Sequence, residues 1–588
     1  EAVRDLETSQ DLNDNRSVYR SQLLLDQDRA VRAANLASIY RDNGMVETSF
    51  REASRAVNYD YGNYSAHLFL ANSYDALRDP RQVNLRYETP WLSELFLANL
   101  LQPVGGGSLA QNISQQEYSR FFEGNRLGLI SLTEYFGNGD WFQRASQYGH
   151  YNETAYSIDV DYSSINGWRP NNDSEALTTY LKVKHQITPS DSIFIQGIYY
   201  DFEAGDTAQY FNQADASTTQ RVKENQEPLL FAGYNHEWGP GNNTLLLLGR
   251  FDDTFRRTDP AGAVARIIRV GPFASFGAYD SAIDYRSELT GYSGDLQHIW
   301  DVTKHSVVVG GRFQTAELDI DYTSAPANNG GIRPPATADS LSNDIERYSL
   351  YLYDHWQVFE PLTLIGGLSY DRLHFPVNTD VVPLIDREQT REQISPKAGF
   401  IYRPWTNGFF RGAYTRSLGG VFFDNSIRLE PVQIAGFTQL YRSIIPESAS
   451  GAGVLPGSRF ETYGLGFDQR LGKGTYLGID GEMLNSTGDL TLGAHEFTGF
   501  ANSVVSTVVD RMDYQERTIS AYVNQLLSQE WSIGARYRLT WAELDHRFEE
   551  ATLRGLDRTD EATLHQVNLY AIYNLPCGFF RQFNAIWS

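Results

Sequence analysis

A chain of 588 residues has room for several soluble domains, or for one small domain and one very large closed sheet. Its 36 Tyr, 32 Phe, 10 Trp and 49 Gly beside only 41% hydrophobic residues favour the second, because alternate strand residues then face lipid and a wet interior. The formal charge of -24 excludes the basic surface of a nucleic-acid binder, no run nears the roughly 18 apolar residues of a spanning helix, and the single Cys577 permits neither an intrachain disulfide nor a cysteine metal cluster.

The chain opens on a polar, acidic stretch, Glu1 to Tyr19, which does not read as a signal peptide. Helices are predicted at 31–42, 46–58 and 64–77, the last ended by Arg78, Asp79 and Pro80. Ala33, Leu36, Ala37 and Tyr40 are followed by Ala53 and Ala56, and Leu70, Ala71 and Tyr74 stand 34 residues after Leu36, Ala37 and Tyr40. Small residues at such positions let paired helices approach while larger ones fill the gap. Over residues 1–80 this pattern resembles tetratricopeptide repeats, with a generic helical hairpin as the plainer reading. So short a solenoid needs capping and is expected either to dock on the barrel or to be the end of a longer array, while the resemblance implies a surface for a protein partner on the periplasmic side. Residues 81–124 read as a connector: Trp91 to Leu101 is an apolar helical run that Pro103 and Gly105, Gly106 and Gly107 terminate. It is expected in the mouth of the sheet as a small plug, on its rim, or against the repeats.

From about residue 125 the period changes from 3.6 to 2. Leu362, Leu364, Gly366, Leu368 and Tyr370 alternate with Thr363, Ile365, Gly367, Ser369 and Asp371, giving one greasy and one more polar face. Nineteen such segments follow one another between 126 and 587, separated by short turns such as 188–191, 239–242 and 359–361. The short turns alternate with long polar links at about 203–226, 257–283, 319–344, 374–391, 418–459, 486–507 and 545–561. Hairpins that emerge alternately on two sides of a membrane give this alternation. Trp238, Trp300, Trp356, Trp405, Trp531 and Trp541 sit near strand ends, where an amphipathic ring suits the headgroup level. The fold class expected is therefore a transmembrane antiparallel β-barrel of about 18–20 strands, 22 not excluded, over residues 125–588, preceded by the small α-helical domain. Nineteen is odd, so either an early segment is not a strand or a last strand lies beyond Ser588. Short turns are expected inside, long loops outside the cell.

No nucleophile elbow, phosphate loop or zinc motif appears, and no catalytic residue, cofactor or enzymatic role is expected. Glu317, Asp319 and Asp321 have the spacing of a solvated strand end, with calcium at an external loop as the sharper alternative; Asp159 and Asp161 share that geometry. His298, His305 and His355 are expected as interior hydrogen-bonding groups rather than metal ligands. Arg372, Arg411, Arg416, Arg470, Arg536 and Arg538 are expected to pair across the interior with Asp354, Asp371, Asp468, Asp480 and Glu482, lining a polar path.

The stretch Ser395 to Pro404 followed by Phe410 to Ser417 resembles the middle barrel strands of TonB-dependent receptors, as does Leu289 to Leu296 leading to His305 to Gly311. Between the repeats and the first strand there is no room for the globular plug of that family, of roughly 100 residues, and no TonB-box segment is seen. The order of repeats then barrel resembles instead polysaccharide exporters of the cellulose and poly-N-acetylglucosamine systems and surface-lipoprotein translocators. These resemblances imply an outer-membrane conduit for a bulky neutral or cationic substrate such as a polysaccharide. Its expected partners are outer-membrane lipids, a periplasmic or inner-membrane protein on the repeats and a surface lipoprotein. The alternatives are a plugless uptake channel served by a lipoprotein, or a non-conducting scaffold whose interior is blocked by loops, the link 418–459 first among them.

Overall fold

The computed structural model describes residues 35–41, 43–77, 88–104, 125–208, 213–270, 273–326, 335–420, 427–439, 455–472, 474–497, 503–548 and 557–588 apart from 576 and 578, together with Val3, Glu7 and Ala33. The strands in chain order are β1 (Arg126–Tyr135), β2 (Trp141–Tyr151), β3 (Thr154–Ile165), β4 (Ser174–Thr188), β5 (Asp191–Ala204), β6 (Arg221–Gly239), β7 (Asn242–Val270), β8 (Phe273–Val302), β9 (His305–Pro326), β10 (Thr337–Phe359) and β11 (Leu362–Pro376). They continue as β12 (Glu388–Trp405), β13 (Gly408–Leu418), β14 (Gln433–Ile434), β15 (Phe437–Thr438), β16 (Arg459–Leu471), β17 (Thr475–Phe497), β18 (Ser503–Leu526), β19 (Trp531–Phe548), β20 (Arg558–Asn574) and β21 (Phe580–Trp587). All but β14 and β15 join one 19-stranded sheet in which each strand pairs antiparallel with the next. β13 pairs with β16 because β14 and β15 form a small hairpin of their own. Among the described residues the pairing ends at β1 on one side and β21 on the other.

The alternation predicted from the sequence sets the register. On β10, Asn343, Ile345, Arg347, Ser349, Tyr351, Tyr353 and His355 are buried on the inward face, while Leu350, Leu352 and Trp356 are exposed on the other. A slip of one residue would exchange the two sets, so the pattern of Tyr351 opposite Ser369 and Leu352 opposite Leu368 is strongly specified. The links predicted at 257–283, 319–344 and 486–507 are largely strand instead. β7 and β8 run for 29 and 30 residues, and three residues of β7 pair in parallel with β17 at Ala494 to Glu496. Where both faces of a hairpin are wet, period-2 hydrophobicity fades although backbone pairing continues, so composition alone reads such a segment as a link.

Three helices follow the predicted positions closely: α1 (Val46–Tyr59), α2 (Tyr64–Leu77) and α3 (Glu88–Leu101), with residues 35–41 also helical. Asn63 caps α2, its Oδ1 accepting from the Ser65 and Ala66 amides. α3 is covered around most of its circumference: Leu95, Phe96, Leu97, Leu100 and Leu101 are all buried, and so are the polar Ser93, Glu94 and Asn99. The small and large residues of the 34-residue pattern, Ala33, Leu36, Ala37, Tyr40, Ala53, Ala56, Leu70, Ala71 and Tyr74, are buried too.

Of the two expected arrangements, docking on the barrel or the end of a longer array, the helices take the first among the described residues. They lie on the inward face of the sheet, which curls far enough for them to touch β5 and β6 as well as β18 and β19. Phe96 of α3 packs its ring against Phe231 of β6, centroids 4.9 Å apart, Thr48 of α1 accepts from Asn524 of β18 at 3.0 Å, and Glu47 pairs with Arg536 of β19 at 2.6 Å. The glycine-rich turn at 105–107 lies outside the described residues.

Candidate functional site: an obstructed interior

The helices fill the end of the sheet where the short turns lie. Gly62, between α1 and α2, faces Asn243 and Asp301 beside the β6–β7 and β8–β9 turns, and Gly44 sits against Tyr570 and Ile572 near the end of β20. Lys184 of β4 fixes α3. Its ammonium donates to the Asn99, Leu100 and Gln102 carbonyls, the acceptors that a helix C-terminus leaves without partners. His67 of α2 meets Glu94 of α3 at 2.5 Å, both fully enclosed.

The second obstruction comes from the link between β13 and β16. Residues 427–439 are buried throughout and turn through Ala435 and Gly436, both at positive φ. The hairpin reaches the helices: Arg51 donates to the Gly436 carbonyl at 3.1 Å, Ser54 to Gln433 Oε1 at 3.2 Å and Tyr61 to the Leu429 carbonyl at 3.3 Å. It is also tied to the wall. The Leu429 amide donates to Asp295 at 2.8 Å, and Gln297 donates to the Leu429 carbonyl at 2.6 Å. Glu430 accepts from Tyr353 and pairs with Lys397 at 3.1 Å and with Arg428. Burial alone would raise the Glu430 carboxyl, but Arg428 and Lys397 hold it well below the usual carboxylate range.

Of the charged residues predicted for the interior, eight point inward. Arg411 lies between Asp468, at 3.3 Å, and Asp480; Asp371 pairs with Arg347 at 2.7 Å; Arg536 pairs with Glu47 and Arg538 with Glu516; Arg470 faces Glu7 at 3.6 Å; Glu482 stands two residues from Asp480 on the same face. Three predictions are corrected. Asp354 pairs with His305, Arg372 with Glu392 and Arg416 with Glu461, all on the outward face. An arginine or aspartate was read as interior by charge alone, whereas strand parity puts these three outside.

His298 and His305 also face outward, and His355 inward beside Tyr61. Among the described residues no three His, Cys, Asp or Glu side chains gather as a metal set. Glu317, Asp319 and Asp321 share the exposed outward face of β9, whereas Asp159 is enclosed, accepting from Ser146 and Ser157 and facing Lys182 at 3.4 Å.

The outward face carries a greasy band. Leu230, Leu248, Leu296, Leu350, Leu368, Ile394, Leu465, Ile479, Ile519 and Leu569 are all exposed, and so are the six tryptophans predicted at strand ends. Trp238, Trp300, Trp356, Trp405 and Trp531 border short turns. Trp541 lies ten residues along β19 from Trp531, about 33 Å of strand. With the usual tilt of about 40° that spans about 25 Å, the height of the apolar band of an outer-membrane barrel.

Residues 167–434 match the TonB dependent receptor-like β-barrel family. The receptor-like segment covers just under half of the chain, from the β3–β4 link to the tip of the inward hairpin. No curated protein sequence matches the chain. Solved structures similar to it include the copper transporter OprC, at 10% identity and a TM-score of 0.49 over 77% of this chain and 73% of that one. Others are the ferripyoverdine receptor of the outer membrane of Pseudomonas aeruginosa, at 11% and 0.48 over 78% and 67%, and the ferric citrate transporter FecA, at 12% and 0.47 over 76% and 70%. The receptor-like match is consistent with the resemblance read from Ser395 to Ser417 and supports neither exporter family.

Sequence reasoning named the 418–459 link as a candidate obstruction but none of the residues that seat it. Lys397 and the close pair Arg428 and Glu430 carried one usable signal: charges within runs otherwise poor in them.

Proposed function

We propose that this chain is a gated outer-membrane transport barrel, not an enzyme, whose resting state is closed by its own helices and by the hairpin 427–439. The carrying observation is the junction at which Arg51, Ser54 and Tyr61 of the helical segment hold the hairpin. The greasy outward band and the receptor-like match support the membrane setting and transport. On this reading the short-turn end faces the periplasm and the long hairpins face outside. A periplasmic partner acts on the helices, and the cargo is a bulky solute taken up or passed through once the two obstructions part. Uptake in the manner of a receptor stands ahead of polysaccharide export, since the family match favours the former.

The test is single-channel recording of the purified chain in planar bilayers. The unmodified protein should be almost silent, and Glu430→Gln, which leaves Arg428 and Lys397 without their shared partner, should give bursts of opening. Deleting 427–439 should lengthen them. Silence in both variants, with the sheet intact by circular dichroism, would leave a scaffold as the better reading.

A further inference from the structure

Between α1 and the wall lies a cavity of ≈ 70 Å³ that shares Arg51 with the gate described above but is otherwise lined by residues the gate does not use. Its lining comes from α1 (Thr48, Arg51, Glu52, Arg55), the β12–β13 turn (Thr406, Asn407) and the ends of β16 and β17. Four guanidinium groups line it, Arg51, Arg55, Arg403 and Arg470, against two carboxylates, Glu52 and Asp468. The further counter-charges stand behind the lining: Asp480 on Arg51 at 2.5 Å, Glu360 on Arg403 at 3.9 Å and Glu7 on Arg470 at 3.6 Å.

Arg55, in the lining of this cavity, has donors that the fold leaves unmet. It is buried, lies 3.7 Å over the Phe409 ring and gives Nη2 to Glu52, while its Nε and Nη1 find no hydrogen-bond acceptor. A guanidinium carries five N–H donors and accepts nothing, so such a group is completed by an oxygen that only accepts. Burial also pushes the Glu52 carboxyl up despite Arg55, which weakens the one counter-charge on the same helix. The volume is about five times what one water needs. That matches an oxyanion of four or five heavy atoms.

We propose that this cavity binds a small oxyanion, bridging Arg51 and Arg55 of α1 to the short-turn rim at Arg403 and Asn407. The source is a free phosphate, tetrahedral with four oxygens, or a carboxylate presented by a peptide, planar with two; both present a pair of acceptor oxygens that fits the fork of a guanidinium. The inference does not depend on the transport reading: Arg51 also holds the hairpin, but the binding test reads the seat of α1 on the wall whether or not the hairpin gates.

The full chain in detergent is titrated with sodium phosphate, and separately with sodium acetate, against sodium chloride at equal ionic strength, following the melting temperature and the heat of binding. Expected is saturable one-to-one binding and a melting temperature that keeps rising with the logarithm of the ligand concentration above its dissociation constant. Phosphate alone acting points to a phosphoryl group; acetate acting equally points to a carboxylate. Arg55→Gln should weaken binding at least tenfold, and Asn407→Asp, a change at the turn that leaves α1 untouched, should do so by setting a carboxylate at the rim. Responses to both anions no larger than to chloride, or unchanged affinity in Asn407→Asp and in any Arg55→Gln protein that folds, overturn the proposal.

Discussion

Lys184 shows how much one side chain on a strand can decide about a helix two elements away. Its ammonium is fully enclosed and meets three carbonyls at the end of α3, with no carboxylate among its hydrogen-bond partners. Removing the donors leaves those carbonyls buried and unsatisfied, at a cost of roughly 1–3 kcal/mol, while the loss of a buried charge offsets part of it. We expect Lys184→Met, similar in length and apolar, to loosen α3 without disturbing β4, whose ladder bonds are backbone. The backbone amides of α3 should then exchange with deuterium several-fold faster than in the parent, with the sheet's circular dichroism unchanged. Equal exchange rates would show that the apolar packing of Phe96 and Leu100 holds the helix alone. The sequence placed Lys184 inside a strand, but that its partner would be a helix end could not be read, because periodicity tells which face a residue takes and not what stands opposite.

At the scale of elements, the hairpin 427–439 depends on glycines in the wall. A Cβ at Gly399 of β12 would come within 2.5 Å of Ile434, and one at Gly464 of β16 within 2.4 Å of Phe437, so the hairpin seats only where two strands lack side chains. Gly399→Ala should therefore unseat it, and the buried Arg428 should become a tryptic site, cut at least five times faster than in the unmodified chain. If cleavage at Arg428 stays at the unmodified rate, the wall yields instead and the hairpin is not held by fit. The strands' short-turn ends were legible to within a few residues, since period 2 persists wherever one face is greasy, as from Leu362 to Tyr370, while their far ends ran on beyond the expected bounds. The helices were legible through the offset of Leu36 and Leu70. Two things were not. The polar extensions of β7, β8, β9 and β17 lose the alternation, and the helices' place inside the sheet is hidden because an apolar face reads alike whether it meets a helix or a wall.

For the molecule as a whole, the exposed leucines decide what surrounds it. Leu350 is 64% exposed and Leu352 50% exposed on the outward face of β10, between Trp356 at the short-turn end and the polar run of Glu346, Asp344 and Ser342 beyond Tyr348. In water such a band is a liability, and replacing one of its leucines with a charge should be neutral or should help solubility. In a bilayer the same change is unfavourable by about 2–4 kcal/mol near the midplane and by about 0–1 kcal/mol near the interface. Leu350→Arg and Ser342→Arg, both outward on one strand and eight residues apart, separate the two cases. Folding into phospholipid vesicles from urea should shift to lower denaturant for Leu350→Arg and hardly at all for Ser342→Arg. A soluble sheet would show no difference between them. The pair reports on the environment of the sheet rather than on its gate, because neither side chain faces the helices, the hairpin or the arginine-lined cavity. If the two variants fold alike in vesicles, the greasy band must be covered by protein and not by lipid, and transport would lose its setting whatever the hairpin does.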